Sequence, residues 1–455
     1  MTLSATFLSS LHNCAGFCRD SFIAAHQSHA SVSVRINKAK LASSDTLFTS
    51  SIKGDLVPWC NNAFYLTERP SFTLDPLFHG GAYYVQEASS MFIHHVIHSV
   101  LDTQRNLNAL DLCAAPGGKS TLLASLPFFK LVLANEIIQS RVSSLVENVI
   151  KWGADHVLVS NNDPREIEQL GEIFDLVLVD APCSGSGLFR KDENAQHEWS
   201  PEHVSSCAMR QTRILESASR VIKEGGYLLY STCSFSKEEN EDVIDHLIGS
   251  GMYESVVIPI EPQWGIVQSV SEKHGGYGYR FYPDRLQGEG FFCAVLRKIT
   301  ADPVTQYKVG SSGLTIIKDT SLLDKWINIE GGAVYYQREG DVYMCEEKNM
   351  SEVSLIKDSL RLKRSGLRVG ELIRNELIPD HELAMSMVRS DHIPKIDLDV
   401  QAALKFLRRD TIDVDVDFSG WGLIQCKQVV LGWVKMVNRK AKNHYPMSWR
   451  ILMNV

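Results

Sequence analysis

Two short motifs place a cysteine where strands of a parallel sheet would end. In DAPCSGSGLFRKD (Asp180 to Asp192) Cys183 follows the apolar run FDLVLVD, and in STCSFS (Ser231 to Ser236) Cys233 follows a second apolar run. A single buried cysteine is usually a small packing residue. Two of them offered to one crevice by neighbouring strands imply covalent chemistry. A thiolate adds to an electron-poor carbon, and C6 of cytosine is one. C5 by itself is too poor a nucleophile to take a methyl group, but addition at C6 converts it into an enamine-like centre that can. Protonation at ring N3 favours the addition, and Asp180, held partly protonated by burial, is the candidate donor. The second thiol would assist removal of the C5 proton or release of the product. Methylation of an exocyclic amine needs no nucleophile and goes with an Asn- or Asp-Pro-Pro-aromatic loop, whereas the sequence here is Asp180-Ala181-Pro182-Cys183.

Such chemistry needs a methyl donor, and LDLCAAPGGKS (Leu110 to Ser120) supplies a place for one. It is an apolar strand, a turn of small residues and a helix start, where backbone can approach a ligand that Cβ atoms would exclude. It is neither GxGxxG nor GxxxxGK[ST], so a pyrophosphate is not the ligand it implies. Glu136, Asp163 and Asp180 close three successive strands, converging on the crevice where doubly wound sheets bind ligands. Glu136 is placed for ribose hydroxyls and Asp163 for an adenine edge. An adenosine carrying a cationic sulfonium suits three carboxylates.

The elements that must position these groups are legible as periodicity. From Leu107 to Lys298 short apolar runs alternate with amphipathic stretches, the pattern of a parallel sheet with helices on both faces. Strands are predicted at Ala109 to Cys113, Leu131 to Asn135, His156 to Ser160, Phe174 to Asp180, Tyr227 to Thr232 and Phe291 to Arg297. RVSSLVENVIKW (Arg141 to Trp152) gathers Val142, Leu145, Val146 and Val149 on one face and stops at Gly153. Val204, Ile214, Leu215, Ala218 and Val221 do the same for a helical stretch closing at Gly225 and Gly226. Ser236 and Glu239 are predicted to form a capping box that starts a helix just after Cys233. Residues 1–100 read as an accessory lobe of helix and loop ending in HGGAYYVQEASSM (His79 to Met91), 101–300 as the catalytic domain, 301–380 as a linker or small α+β region, and 381–455 as a separate module.

The net charge of −8 argues against nucleic acid only if charge is evenly spread, and it is not. From Cys426 to Val455 there are Lys427, Lys435, Arg439, Lys440, Lys442 and Arg450 and no acid, interleaved with Trp433, His444, Tyr445 and Trp449. Cations beside aromatic faces suit unstacked RNA. A second basic run spans Ile356 to Arg374. The ten cysteines are dispersed without paired CxxC units, so neither a disulfide scaffold nor a metal site is expected, and Cys14 and Cys18 read as helix residues. No stretch approaches ~18 apolar residues, so a soluble, cytoplasmic protein with no membrane partner is expected.

AAPGGK, DAPCSG and STCS, in this order, resemble the signatures of the Nol/Nop/Sun family of RNA cytosine-5 methyltransferases. The resemblance implies a Rossmann-like, seven-stranded S-adenosylmethionine methyltransferase domain of α/β class with a helical N-terminal lobe. It implies that Cys233 is the nucleophile and that Cys183 assists release of the base. Cys113, Ala114, Ala115, Pro116, Gly117, Gly118 and Lys119, with Glu136, Asp163 and Asp180, match the family's cofactor-binding positions. Lys191 is a candidate contact near the base, and His274, Arg280 and Arg285, in the segment that closes the domain, are candidates near substrate. GLRVGELIRNELIPDHELA and GWGLIQCKQVVLGWVKMVNRKAKNHYP resemble the C-terminal extension of bacterial members that methylate small-subunit (16S) ribosomal RNA, a β-rich PUA-like module. That makes Lys435, Arg439, Lys440, Lys442, His444 and Tyr445 the expected RNA contacts. S-adenosylmethionine is the expected cofactor, RNA the expected partner and a monomer the expected state. A tRNA substrate, or a catalytically silent RNA-binding ribosome assembly factor, are the alternatives. One departure stands in VRINKAK (Val34 to Lys40), where relatives carry Thr or Pro in place of Lys38.

Overall fold

In the computed structural model of the chain, residues 3–41, 53–101, 103–301, 314–374 and 376–453 are described. The apolar runs of the middle region form a sheet whose strands we number β1 (Leu107–Asp111), β2 (Phe129–Asn135), β3 (Val157–Ser160), β4 (Phe174–Asp180), β5 (Ile222–Thr232), β6 (Tyr277–Phe281) and β7 (Phe291–Lys298). Their spatial order is β6-β7-β5-β4-β1-β2-β3. Strands β1 to β5 are parallel, β7 runs antiparallel to β5, and β6 runs antiparallel to β7. Both faces of the parallel strands are covered, which is why FDLVLVD is a near-continuous apolar run rather than an alternating one. The strand order reverses between β1 and β4, so a crevice opens at their carboxyl ends, where both cysteine motifs and the small-residue loop emerge.

Three further strands, Tyr253–Ser255, Val267–Val270 and Leu362–Arg364, bring this sheet to ten. The last is supplied by the region after residue 300 and pairs antiparallel with β3. That region forms a five-stranded sheet with the helix Met350–Ser359, which is the small α+β arrangement of the two readings and not the linker. Tyr335, Val342 and Leu367 from it share a core with Leu423, Val430 and Trp433, so packing runs straight through residue 381. Beyond it, Lys395–Asp397, Gly420–Cys426, Val429–Val437 and Lys440–Asn443 form a four-stranded sheet with the helix Val400–Arg408 against it.

Other expectations are corrected in detail. The N-terminal lobe does carry helices, Ala5–Ser10, Arg19–His26 and Phe92–Leu101, but it is organised around a four-stranded antiparallel sheet that includes Val32–Ile36 and Tyr83–Val85. Cys14 lies in a turn and Cys18 just before a helix, not within one. The helix Gln139–Trp152 does stop at Gly153, whose φ of 84° is left-handed. The helix Pro201–Ser219 ends earlier than expected, because Ile222 already starts β5 and Gly225–Gly226 lie inside that strand. No capping box forms after Cys233. Ser236 makes no side-chain cap, its hydroxyl is buried without a partner, and the Glu239 carboxylate is drawn elsewhere. Among the described residues no helix is long and apolar enough to cross a membrane.

Candidate active site

The small-residue loop after β1 is tied on three sides. The Ala114 N–H donates to the Asn135 carbonyl (2.8 Å), the Arg141 guanidinium to the Ala115 carbonyl (2.6 Å) and the Asn148 amide to the Pro116 carbonyl (2.9 Å). Gly117 has φ 109°, open to glycine and strained for other residues, and it leads into the helix Gly118–Ala124. Between this loop and the N-terminal lobe lies a cavity of about 170 Å³. Cys113, Ala114, Ala115, Pro116, Gly118, Lys119 and Asp180 line one side. Tyr84, Gln86, Glu87 and Ser90 line the other, and sequence reasoning missed them because HGGAYYVQEASSM shows only a turn before a helix. A Cβ at Gly118 would stand 3.3 Å from the Tyr84 ring, narrowing the cradle.

Glu136 is buried and accepts the N–H groups of Ile138 (2.8 Å) and Ala115 (3.3 Å), with Arg141 at 3.7 Å. It therefore shapes the loop as well as carrying charge at the end of β2. Asp163 caps the short helix Pro164–Ile167, accepting the Arg165 N–H (3.0 Å) and Nε–H (3.2 Å), and this pairing holds its carboxyl below the usual range. Neither carboxylate lines the cavity, whereas Asp180 does.

The two cysteine turns are locked together by backbone. The Gly187 N–H donates to the Cys233 carbonyl (2.8 Å), and a Cβ on Gly187 would meet that oxygen at 2.8 Å and the Gly290 carbonyl oxygen at 2.4 Å. Cys183 Sγ and Cys233 Sγ are 2.9 Å apart, both half-buried free thiols. Either sulfur can donate across this contact, and the hydrogen bond to Cys233, reinforced by burial, pushes the Cys183 thiol well up, which favours its protonated form.

Beside them the Lys119 ammonium is 2.7 Å from Asp180, whose other oxygen accepts the Ser231 hydroxyl at 2.7 Å. Burial opposes the charge on Lys119, but Asp180 outweighs it and the lysine pKa rises. Asp180 is thus ion-paired and 33 % exposed, where a buried acid was expected. At the end of β1, burial raises the Asp111 carboxyl. It is pushed up to about 7, it accepts the Ser120 hydroxyl at 2.6 Å, and its other oxygen is buried without a partner.

The remaining candidates take structural places. Lys191 lies 4.0 Å from Glu289, which Arg190 grips through two bonds of 2.9 Å. Arg280 is buried, paired with Glu241, and donates to the Phe235 carbonyl (2.8 Å), supporting the Cys233 turn from behind. Arg285 is exposed and bonds the Gly16 carbonyl (3.1 Å). The His274 ring packs on Gly249, and the His274 backbone N–H donates to Asp245 (2.9 Å) on the helix Glu241–Gly249. In VRINKAK, Arg35 is fully buried and bonded to Gln86 and to the helix Gly118–Ala124, while Lys38 donates to Asn61 (3.2 Å).

Residues 98–297 match the family described as 16S rRNA methyltransferase RsmB/F. Residues 3–88 match the N-terminal domain of 16S rRNA methyltransferase RsmF, and residues 393–451 its PUA domain. The ribosomal RNA small subunit methyltransferase F of Vibrio vulnificus strain YJ016 is 32% identical over 451 residues, 94% of this chain and 93% of that one. The chain belongs to the RsmF family of rRNA methyltransferases. The Escherichia coli O7:K1 relative of the same name is 30% identical over 94% of the chain and 92% of its own length. A methyltransferase homolog protein from Pyrococcus horikoshii is 30% identical over 65% of this chain and all of its own, with a TM-score of 0.53. The structure of NSun6 from the same organism with SFG, at 20% identity, 66% and 99% coverage and a TM-score of 0.54, shares the fold. The methyl donor of this RsmF-family enzyme is S-adenosylmethionine.

In the PUA domain Arg439, Lys440, Lys442 and His444 are exposed as expected, and Lys435 is half-buried over the Trp421 ring near Glu376. Tyr445 is not an RNA contact surface. It is wholly buried against His381 and Phe406, and Trp433 is likewise core, donating to the Asp380 carbonyl. Three residues of the basic run before this domain are held in internal pairs: Arg361 with Glu166, Arg364 with Glu382, and Arg368 with Asp341 and Asp380.

Proposed function

We propose that this rRNA methyltransferase makes 5-methylcytosine in small-subunit rRNA through a covalent bond from Cys233 to C6 of the base, acting as a monomer in the cytoplasm. The observation that carries this reading is the pair of sulfurs 2.9 Å apart beside the Lys119–Asp180 pair. A site that only transferred a methyl group to an exocyclic amine would need neither thiol.

S-adenosylmethionine, when bound, supplies an electrophilic methyl group. Cys113 to Lys119 and Asp180 would hold it, with Glu136 and Asp163 at the neighbouring strand ends. Cys233 as thiolate forms a bond to C6, and the displaced electron pair moves towards N3, where the Lys119 ammonium, oriented by Asp180, offers a proton. C5 would then take the methyl carbon as its bond to the donor's sulfonium sulfur breaks, leaving a neutral thioether. When the C5 proton leaves to water, its electron pair restores the C5–C6 double bond, the C6–S bond breaks, and N3 returns its proton to Lys119. The departing Cys233 sulfur becomes a thiolate again, stabilised by the Cys183 S–H already aimed at it. The raised Cys183 thiol supports Cys233 as nucleophile, since a thiol that holds its proton is the poorer attacker.

Bisulfite or mass-spectrometric mapping of 5-methylcytosine in total RNA from cells with and without the gene tests the substrate. One or more small-subunit rRNA positions are expected to lose the mark. Loss confined to tRNA would move the substrate, and no loss anywhere would overturn the activity.

A further inference from the structure

Glu239 sits on the single turn Lys237–Glu239 and is fully buried. Its carboxylate accepts four hydrogen bonds: from the Ser184 N–H (2.8 Å), the Ser184 hydroxyl (2.5 Å), the Ser234 hydroxyl (2.5 Å) and the Gln211 amide (3.0 Å). Ser184 is the residue after Cys183, and Ser234 the residue after Cys233. One carboxylate therefore grips the neighbour of each reactive sulfur, and the two serine hydroxyls lie 3.2 Å from each other across it. The Gln211 amide that contacts Glu239 also donates to the Pro182 carbonyl (3.2 Å), closing the ring on the Cys183 side.

All four donors are neutral, and no ion pair to Glu239 occurs among the described residues. A wholly buried carboxylate without a cation is costly to fold around, and a packed apolar side chain would stabilise this position better. Such an arrangement is kept where it serves a site. A capping role does not account for it, since the helix that follows begins at Glu241 without a side-chain cap. Nor does Glu239 line the cofactor cavity.

We propose that Glu239 is a positioning residue of the methyl-transfer reaction, fixing the separation of the two sulfurs and keeping the proton on Cys183. The inference rests on the covalent reading given above, in which Cys183 S–H receives the departing Cys233 sulfur. Geometry provides the first half, because both cysteine turns hang from one carboxylate. Electrostatics provides the second. Besides the hydrogen bond to Cys233 and burial, the nearby negative charge of Glu239 contributes to the upward shift of the Cys183 thiol. Without that charge Cys183 would ionise more readily, and two thiolates would repel each other across the gap.

The test is the pH dependence of iodoacetamide alkylation at Cys183 and Cys233, resolved by peptide mass spectrometry on the full-length protein, for the parent and Glu239→Gln. The variant is expected to bring the Cys183 alkylation midpoint down by about one pH unit or more. Its kcat for methyl transfer should fall by roughly tenfold or more, with S-adenosylmethionine affinity changed less than about twofold. Coincident Cys183 profiles overturn the proposal. Should Glu239→Gln lack the parent's circular dichroism spectrum, Glu239→Met, which removes the same charge with an apolar side chain of similar length, carries the same test in the same direction, and coincidence there overturns it. Alkylation needs no RNA, so the outcomes separate. Retained methyl transfer in Cys233→Ala would end the covalent reading whatever Glu239 does, and unmoved alkylation would end the role of Glu239 whatever Cys233 does.

Discussion

Cys183 Sγ lies 2.9 Å from Cys233 Sγ, and that contact together with burial raises the Cys183 thiol. The proposed release step depends on the Cys183 proton. Cys183→Ala is therefore expected to methylate its RNA and then fail to let go, accumulating a protein–RNA adduct that survives denaturing electrophoresis. Peptide mapping should place the crosslink on Cys233. A crosslink on another residue would reassign the nucleophile.

Lys119 stands 2.7 Å from Asp180 at the mouth of the same crevice. Lys119→Met removes the proton offered to the base, and a fall in kcat of about 10²–10⁴ is expected, the range of a lost general acid. Single-turnover methyl transfer with saturating cofactor measures it. A kcat within twofold of the parent would show that Lys119 serves only to shape the loop.

Asp111 gives a pH signature in stability. Its folded pKa, about 7, lies above the ordinary 3.8, so between these values the folded state binds a proton that the unfolded state does not. Stability contributed by this group is then full below about pH 4, falls as pH rises to about 7, and is level above that. Asp111→Asn should flatten this slope and leave the variant more stable than the parent at pH 8, by up to a few kcal/mol. Urea unfolding at pH 5 and pH 8 checks the difference. A larger gain at pH 5 than at pH 8 would reverse the sign and refute the assignment.

The sheet and the two cysteine turns were legible because their determinants are local: apolar runs of strand length, small residues at a turn, thiols just beyond. Strand β6 was not, because YGYRF is stabilised by pairing with β7 and not by its own pattern. The role of Glu239 was misread for a related reason. Ser-x-x-Glu after a strand is a good local cap, yet four donors arriving from Ser184, Ser234 and Gln211 outcompete it. The pairing of Asp180 was not legible, because sequence shows that it ends a strand but not that Lys119 folds back onto it. Tyr445 resembled a stacking platform in a basic run, and only the packing of His381 and Phe406 shows it facing inward.

That inward position separates two variants in the PUA domain. Lys440→Glu with Lys442→Glu should weaken RNA binding and reduce the slope of log K against log salt by about 1.5–2 while leaving cofactor affinity unchanged. Tyr445→Ala should instead destabilise the fold by about 3–5 kcal/mol, as truncation of a buried aromatic does. Salt-dependent RNA titrations and denaturant melts distinguish them. An RNA affinity unmoved by the double charge reversal would show the patch to be a solvated face.

The most direct test of the central claim is nucleoside analysis of small-subunit rRNA, from cells lacking the gene, after incubation with labelled S-adenosylmethionine and either the parent protein or Cys233→Ala. Label in 5-methylcytosine with the parent and none with Cys233→Ala is the predicted result. Label in any other nucleoside, or undiminished 5-methylcytosine with Cys233→Ala, would contradict it.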